Sequence, residues 1–210
     1  MRNRIDRIPR PRSLLAWGLL TLLATPLLQG CGALVVGGVA VGAAVVHDRR
    51  DEQTVLADQN IELRSMAAFY NDPGIRSDCR VSTTSYNLVV LLTGQCGSQA
   101  SADRFAALVS KLPKVRRVVD EVTIGPRASL ARESEDTLIT SRAKLSVAPL
   151  YGDDFDITRV KVVTEAGVVY LMGLVTPAEA DAVVEKVRYV PGVKKVKKVF
   201  EYVEPASKAA

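Results

Sequence analysis

An internal repeat constrains the fold of this chain of 210 residues more than any other feature of its sequence. Leu91-Leu92-Thr93-Gly94 corresponds to Tyr170-Leu171-Met172-Gly173, and Lys114-Val115 corresponds to Gly192-Val193. The offset between the two copies is nearly constant at about 78 positions, which is the signature of a duplicated structural unit. The sequence therefore predicts two similar units of roughly 75 residues, joined by Gly125-Pro126-Arg127.

The second copy gives the order of elements within a unit. Asp136 is interpreted as the N-cap of a helix with an apolar stripe. Two β-rich runs flank the hairpin signal Glu165-Ala166-Gly167, and Thr176 and Glu179 form a capping box at the start of a second helix. The order helix, strand, strand, helix, strand predicts an α+β fold in which each unit is a two-layer αββαβ sandwich. Its three-stranded sheet is mixed, and its two helices share one face.

The first copy follows the same plan. Asp58 is expected to begin its first helix, and Tyr86-Asn87 is expected to form the turn of its hairpin. The predicted domains span residues 53–126 and 130–204, and residues 205–210 form a tail. Because a unit of this size has a thin core, docking of the two copies would stabilise both.

Residues 1–30 have the three parts of a secretory signal. Five arginines precede an apolar core over residues 13–28, and Gly30 precedes Cys31. The sequence around Cys31 looks like a bacterial lipobox, so cleavage would leave Cys31 as a first residue that carries acyl chains such as palmitate. The family rule for lipobox proteins implies the outer membrane, because Gly32 rather than Asp follows the cysteine. The alternative is an uncleaved anchor, since residues 33–46 are also apolar. We expect residues 31–52 to be a flexible tether.

Charge and cysteine content exclude several classes of function. Of the formal charge of +5, residues 1–30 contribute +4, so the basic pI is poor support for nucleic-acid binding. Cys79 and Cys96 flank one hairpin, and either a disulfide or two buried thiols is consistent with that position. The single histidine, His47, lies outside both units, so we predict no metal site, no catalytic residues and no cofactor beyond the lipid on Cys31.

The repeated motifs resemble the BON domain, a periplasmic α/β module. Its pattern is an apolar strand that ends in Gly, a helix, and then Gly-Val and a further Val. The second copy matches at Gly173, Gly192-Val193 and Val196, and the first copy matches at Gly94, Val115 and Val118, with Lys114 in place of a glycine. Together with the lipobox and Asp48-Arg49-Arg50, the order of motifs resembles outer-membrane lipoproteins with two BON domains.

This resemblance implies a non-enzymatic protein at the periplasmic face of the outer membrane. It implies binding of anionic phospholipids, such as phosphatidylglycerol and cardiolipin, mainly through the first helix of the second domain. It also implies a role in envelope integrity, with recruitment to division sites. The alternative is a protein-interaction or chaperone-like scaffold whose partners are outer-membrane assembly proteins.

The first helix of the second copy carries a candidate phospholipid-binding site. Leu138, Arg142 and Leu145 follow the helical spacing i, i+4, i+7, and Ser141 and Lys144 lie beside them. Exposed leucines beside cations suit a membrane interface, where leucine enters the acyl boundary and cations meet phosphates. The alternative is that this helix packs between the two units, with its leucines buried in that contact.

Overall fold

The structure, a computed structural model, describes residues 48–150 and 156–204. It contains two three-stranded sheets, one for each copy of the repeat. In both sheets the first strand pairs antiparallel with the second, and the second pairs parallel with the third. The predicted α+β fold of two tandem mixed-sheet units is confirmed.

The first domain contains helices α1 (Glu52–Asn71), α2 (Pro73–Asp78) and α3 (Gln99–Ser110) and strands β1 (Cys79–Tyr86), β2 (Val89–Cys96) and β3 (Arg117–Ile124). The short helix α2 is an addition to the predicted order. It forms because Asp72 accepts hydrogen bonds from the backbone N–H groups of Gly74 and Ile75, with Pro73 at the first helical position. A disulfide joins Cys79 and Cys96, which lie opposite each other in the β1–β2 register.

The second domain contains helix α4 (Leu130–Val147), strands β4 (Val160–Glu165) and β5 (Val168–Val175), helix α5 (Pro177–Val187) and strand β6 (Lys195–Tyr202). Short 3₁₀ turns follow α4 at Ala148–Leu150 and precede β4 at Ile157–Arg159. The predicted capping box is present, because Thr176 accepts from the Glu179 N–H and Glu179 accepts from the Thr176 N–H.

Asp58 and Asp136 do not begin their helices, contrary to the sequence-based interpretation. The N-caps are Asp51 and Ser129, and each aspartate lies in the second turn of its helix or beyond. Asp136 accepts two hydrogen bonds of 2.8 Å from the backbone N–H groups of the 166–167 hairpin turn. Asp58 accepts from the N–H groups of the 87–88 turn, which lies one residue beyond the predicted position, and from the Ser85 hydroxyl. Each buried aspartate thus fastens its helix to the hairpin of the same domain.

The glycines of the repeat are required at their positions for different structural reasons. A Cβ atom at Gly94 would lie 2.1 Å from the Arg80 carbonyl oxygen, and one at Gly173 would lie 2.4 Å from the Arg159 carbonyl oxygen. Only glycine permits this close approach of two backbones. Gly192 instead has φ +97°, and its counterpart Lys114 adopts the same left-handed region at φ 69°.

The two domains dock through the faces of their sheets that carry no helices. The seam between them is an apolar cluster of Tyr86, Val89, Leu91, Tyr170, Met172 and Val199. Ion pairs of Lys161 with Glu62 and of Arg116 with Glu201 cross the seam at its edges. The result is a four-layer arrangement of helices, sheet, sheet and helices, with a separate apolar core between the helices and the sheet of each domain.

The structure differs from the predicted flexible tether at residues 48–52. Glu52 already belongs to α1, and Arg49 and Arg50 form ion pairs with carboxylates of the two domains. The remainder of the predicted tether, the signal sequence and Cys31 lie outside the described residues.

Candidate lipid-contact site

Helix α4 presents one face to the core of the second domain and the opposite face to solvent. Ile139, Ala143 and Val147 are fully buried in the core cluster, as their helical spacing predicts. The Thr140 hydroxyl donates to the Thr164 hydroxyl on β4 at 2.7 Å, which fixes the rotation of the helix on the sheet. At 3.6 residues per turn, Leu138 and Leu145 must therefore point away from the sheet.

All five residues of the predicted site are exposed, and we call them the α4 ridge: Leu138, Ser141, Arg142, Lys144 and Leu145. Leu138 is 55% exposed and Leu145 is 72% exposed. The alternative in which this helix packs between the two units is therefore wrong, because the seam is formed by the sheets.

The cations of the α4 ridge lie on either side of its leucines. Helical geometry places Arg142 on one side of the line from Leu138 to Leu145 and Lys144 on the other. Neither cation forms an ion pair with any residue in the described part of the chain. Ser141 differs, since its hydroxyl donates to the Thr137 carbonyl oxygen at 3.0 Å. The structure thus brings together two leucines and two uncommitted cations, while the serine hydroxyl is occupied by its own helix.

Sequence reasoning missed an apolar surface on the first domain. Helix α1 exposes Leu63 (60%), Met66 (53%) and Tyr70 (57%) beside the edge strand β1. Together with Phe69, Val81 and Phe105, they line a groove of about 600 Å³. We call this the α1 groove. The sequence offered a signal, because Leu63, Met66 and Tyr70 recur at spacings of three and four on a single helix face.

Other kinds of site find no support in the described ranges. Over residues 48–150 and 156–204, no group of three or more His, Cys, Asp or Glu side chains is arranged to hold a metal ion. Within the same ranges, none of the helices has both the length and the apolar character needed to cross a bilayer. Two lysines of β6 already form ion pairs within the protein: Lys197 pairs with Glu121 in the seam, and Lys198 pairs with Asp181.

Two mixed-sheet αββαβ units, each with a glycine where two strands meet closely, define a class of protein that sequence comparison also recognises. The BON domain family model matches residues 57–126 and 136–204, and the chain belongs to this family.

Among named relatives, the chain is 38% identical over 186 residues to the outer membrane lipoprotein DolP of Haemophilus influenzae. The alignment covers 88% of this chain and 95% of that protein. It is 32% identical over 157 residues to a 21 kDa hemolysin of Actinobacillus pleuropneumoniae, covering 75% of this chain and 80% of the relative. Among solved structures, the C-terminal domain of CdsD, a type III secretion protein of Chlamydia trachomatis, aligns with 70% of this chain and 67% of its own, at 14% identity and a TM-score of 0.27.

Proposed function

We propose that this chain is a lipid-anchored, non-enzymatic protein of the outer membrane that faces the periplasm and binds anionic phospholipids through the α4 ridge. The observation that carries the proposal is the exposure of Leu138 and Leu145 between two cations that have no ion-pair partner among the described residues. The relative named as an outer membrane lipoprotein, which aligns over most of the chain, supports the location and the lipid on Cys31. A role in envelope integrity, including at division sites, extends the same proposal.

The α4 ridge has the features of an interfacial helix. An apolar side chain in the headgroup and acyl boundary gains from burial, and each Lys or Arg near an anionic surface contributes about 1 kcal/mol. Arg142 and Lys144 together would therefore contribute about 2 kcal/mol, which corresponds to a factor of roughly thirty in partitioning. Phosphatidylglycerol and cardiolipin carry the negative charge that this arrangement requires. The electrostatic part must weaken as salt rises.

Vesicle flotation tests the proposal. A chain that lacks residues 1–31 should float with vesicles that contain phosphatidylglycerol and should stay in solution with zwitterionic vesicles. Leu138→Glu should abolish flotation, because it places a carboxylate at the apolar line of the α4 ridge. Leu63→Glu is the matched control, since Leu63 is equally exposed on the corresponding helix of the first domain. Equal flotation with zwitterionic vesicles, or equal loss in both variants, would contradict the proposal.

The α1 groove favours a second candidate function, a protein-interaction scaffold. Strand β1 is an edge of its sheet, and Val81 and Thr83 of this strand line the groove. An extended segment of an envelope assembly protein could pair with this edge and place alternate apolar side chains against Leu63 and Met66. At Ser85 this edge is already occupied, because the N–H donates to Glu62 and the carbonyl oxygen accepts from Lys161. The observation that supports this candidate is therefore the edge at Val81 and Thr83 beside the apolar groove.

Crosslinking in cells tests the second candidate. A photo-crosslinker at Met66 should capture a discrete envelope protein, and Leu63→Glu should remove that product. The control is Leu138→Glu, which alters the α4 ridge and leaves the α1 groove intact. If no discrete product forms at Met66, or if Leu138→Glu removes it equally, the groove is not a binding site for an extended segment.

A further inference from the structure

The four residues before helix α1 contact both domains at the edge of the seam. Arg49 binds the second domain: its guanidinium donates to both carboxylate oxygens of Glu179, at 2.6 and 2.9 Å, and to the Leu174 carbonyl oxygen at 3.0 Å. Leu174 packs against the apolar cluster of the seam, and Glu179 caps helix α5. Arg49 thus binds both a side chain and a backbone carbonyl group of the second domain, and its contact with Glu179 is bidentate.

Arg50 makes the complementary contact with the first domain. It donates to Asp58 at 2.7 Å, and its guanidinium lies 3.8 Å from the centroid of the Tyr86 ring. Asp48 fixes the same guanidinium with hydrogen bonds of 2.6 to 3.1 Å. Because Tyr86 belongs to the seam and Asp58 fastens α1 to its hairpin, Arg50 connects the chain to two structural elements of the first domain.

Burial distinguishes these contacts from ordinary surface ion pairs. The side chains of Arg50 and Asp58 are 11% and 5% exposed, and Glu179 is 11% exposed. Although burial opposes ionisation of Glu179, the hydrogen bonds from Arg49 and the Thr176 N–H leave the pKa of this carboxyl below its usual value. Without Arg49, Glu179 would keep, among the described residues, only the longer ion pair with Arg159, at 3.5 Å, and without Arg50, Asp58 would lose its ion pair in a place that water reaches poorly.

We propose that residues 48–51 form a clasp, in which Arg49 and Arg50 are positioning residues that hold the two domains in one orientation. The clasp also fixes the point at which the preceding chain leaves the folded body. This last consequence rests on the proposed function, because it matters only where that chain leads to a lipid. With the clasp closed, the α4 ridge keeps a constant orientation relative to the start of the tether.

Backbone amide relaxation of the full chain, measured by nuclear magnetic resonance, tests the clasp without any lipid-binding assay. In the wild-type protein both domains should share one rotational correlation time. In the double variant Arg49→Ala, Arg50→Ala, the apolar cluster and the ion pairs of the seam still join the domains, so the two correlation times should separate in part and fall below the wild-type value. Arg64→Ala is the matched control, since Arg64 is exposed on α1 and has no ion pair within the described residues. An unchanged common correlation time in the double variant would overturn the clasp.

If the double variant does not fold, a single substitution tests the same proposal. Arg49→Ala alone removes the contact with the second domain and leaves the Arg50–Asp58 pair intact. It should give the same separation of correlation times with well-dispersed amide signals from both domains. If Arg49→Ala keeps one common correlation time, the clasp proposal is wrong even where the double variant cannot be measured.

A depth measurement separates positioning from simple stabilisation. The only tryptophan in the sequence, Trp17, precedes Cys31, so Leu138→Trp would give the lipidated protein a single reporter on the α4 ridge. Quenching by brominated lipids in phosphatidylglycerol vesicles should fall at least two-fold when Arg49→Ala and Arg50→Ala are added. Unchanged quenching would refute the positioning role. Absence of quenching in the wild-type background would instead refute the proposed membrane contact and leave the relaxation result standing.

Discussion

Replacement of Asp136 by alanine should destabilise the second domain far more than the loss of a helix cap. Asp136 is 7% exposed and accepts two hydrogen bonds of 2.8 Å from consecutive backbone N–H groups of a tight turn. A hydrogen bond to a charged group contributes about 1.5 to 3 kcal/mol, so two bonds predict a loss of about 3 to 6 kcal/mol. A helix N-cap, the role that the sequence suggested, contributes only about 1 kcal/mol.

Urea-induced unfolding followed by circular dichroism measures this difference. With a slope of about 2 kcal/mol per molar, the midpoint of the second domain should fall by about 1.5 to 3 M at unchanged slope. Asp136→Asn keeps an oxygen acceptor and should lie between wild type and Asp136→Ala. Glu135→Ala, at an exposed position on the same helix, should change the midpoint little. A loss of about 1 kcal/mol or less for Asp136→Ala would show that the turn does not depend on this carboxylate.

Two further predictions concern single positions. Lys114→Gly should raise the free energy of unfolding by about 0.5 to 1 kcal/mol. A left-handed φ of 69° costs a lysine about 1 to 2 kcal/mol, and the greater entropy of glycine in the unfolded chain offsets part of the gain. A lower urea midpoint for the variant would contradict this prediction. Glu165 accepts a hydrogen bond from Gln95 across the seam, and burial raises the pKa of its carboxyl above the ordinary value of 4.5. Ionisation of Glu165 at pH values above 4.5 therefore lowers the stability of the folded protein. Glu165→Gln should therefore stabilise the protein at neutral pH, with a gain that shrinks as pH falls toward 4.5, and a gain that is independent of pH would refute this reasoning.

The elements of both domains could be predicted from local patterns. The capping box at Thr176 and the stripe Ile139, Ala143 and Val147 have the residue types and spacings that the structure uses. The misassignment of Asp136 has a simple cause: aspartate commonly caps helices, but it also accepts hydrogen bonds from distant turns. Sequence alone does not distinguish these roles, because the partner lies about 30 residues away in the hairpin.

The orientation of the two domains was not predicted, although the central strands carried a signal for it. Val89 to Leu92 and Val168 to Met172 are apolar at every position, so both faces of β2 and β5 must be buried. A two-layer sandwich covers only one of those faces. The second face required a partner, and each domain provides it for the other. The role of Arg49 could not be predicted in the same way, because its carboxylate partner, Glu179, lies 130 positions away in the chain.

Stacking the sheets face to face has a consequence for how this body can be used. The helices of each domain lie on the side of their sheet away from the seam, so α1 and α4 are turned in opposite directions. A flat surface that contacts Leu138 and Leu145 cannot also contact Leu63 and Met66. The duplicated unit has thereby become a two-sided particle, in which one copy can engage a boundary while the other remains open to the aqueous space beyond it.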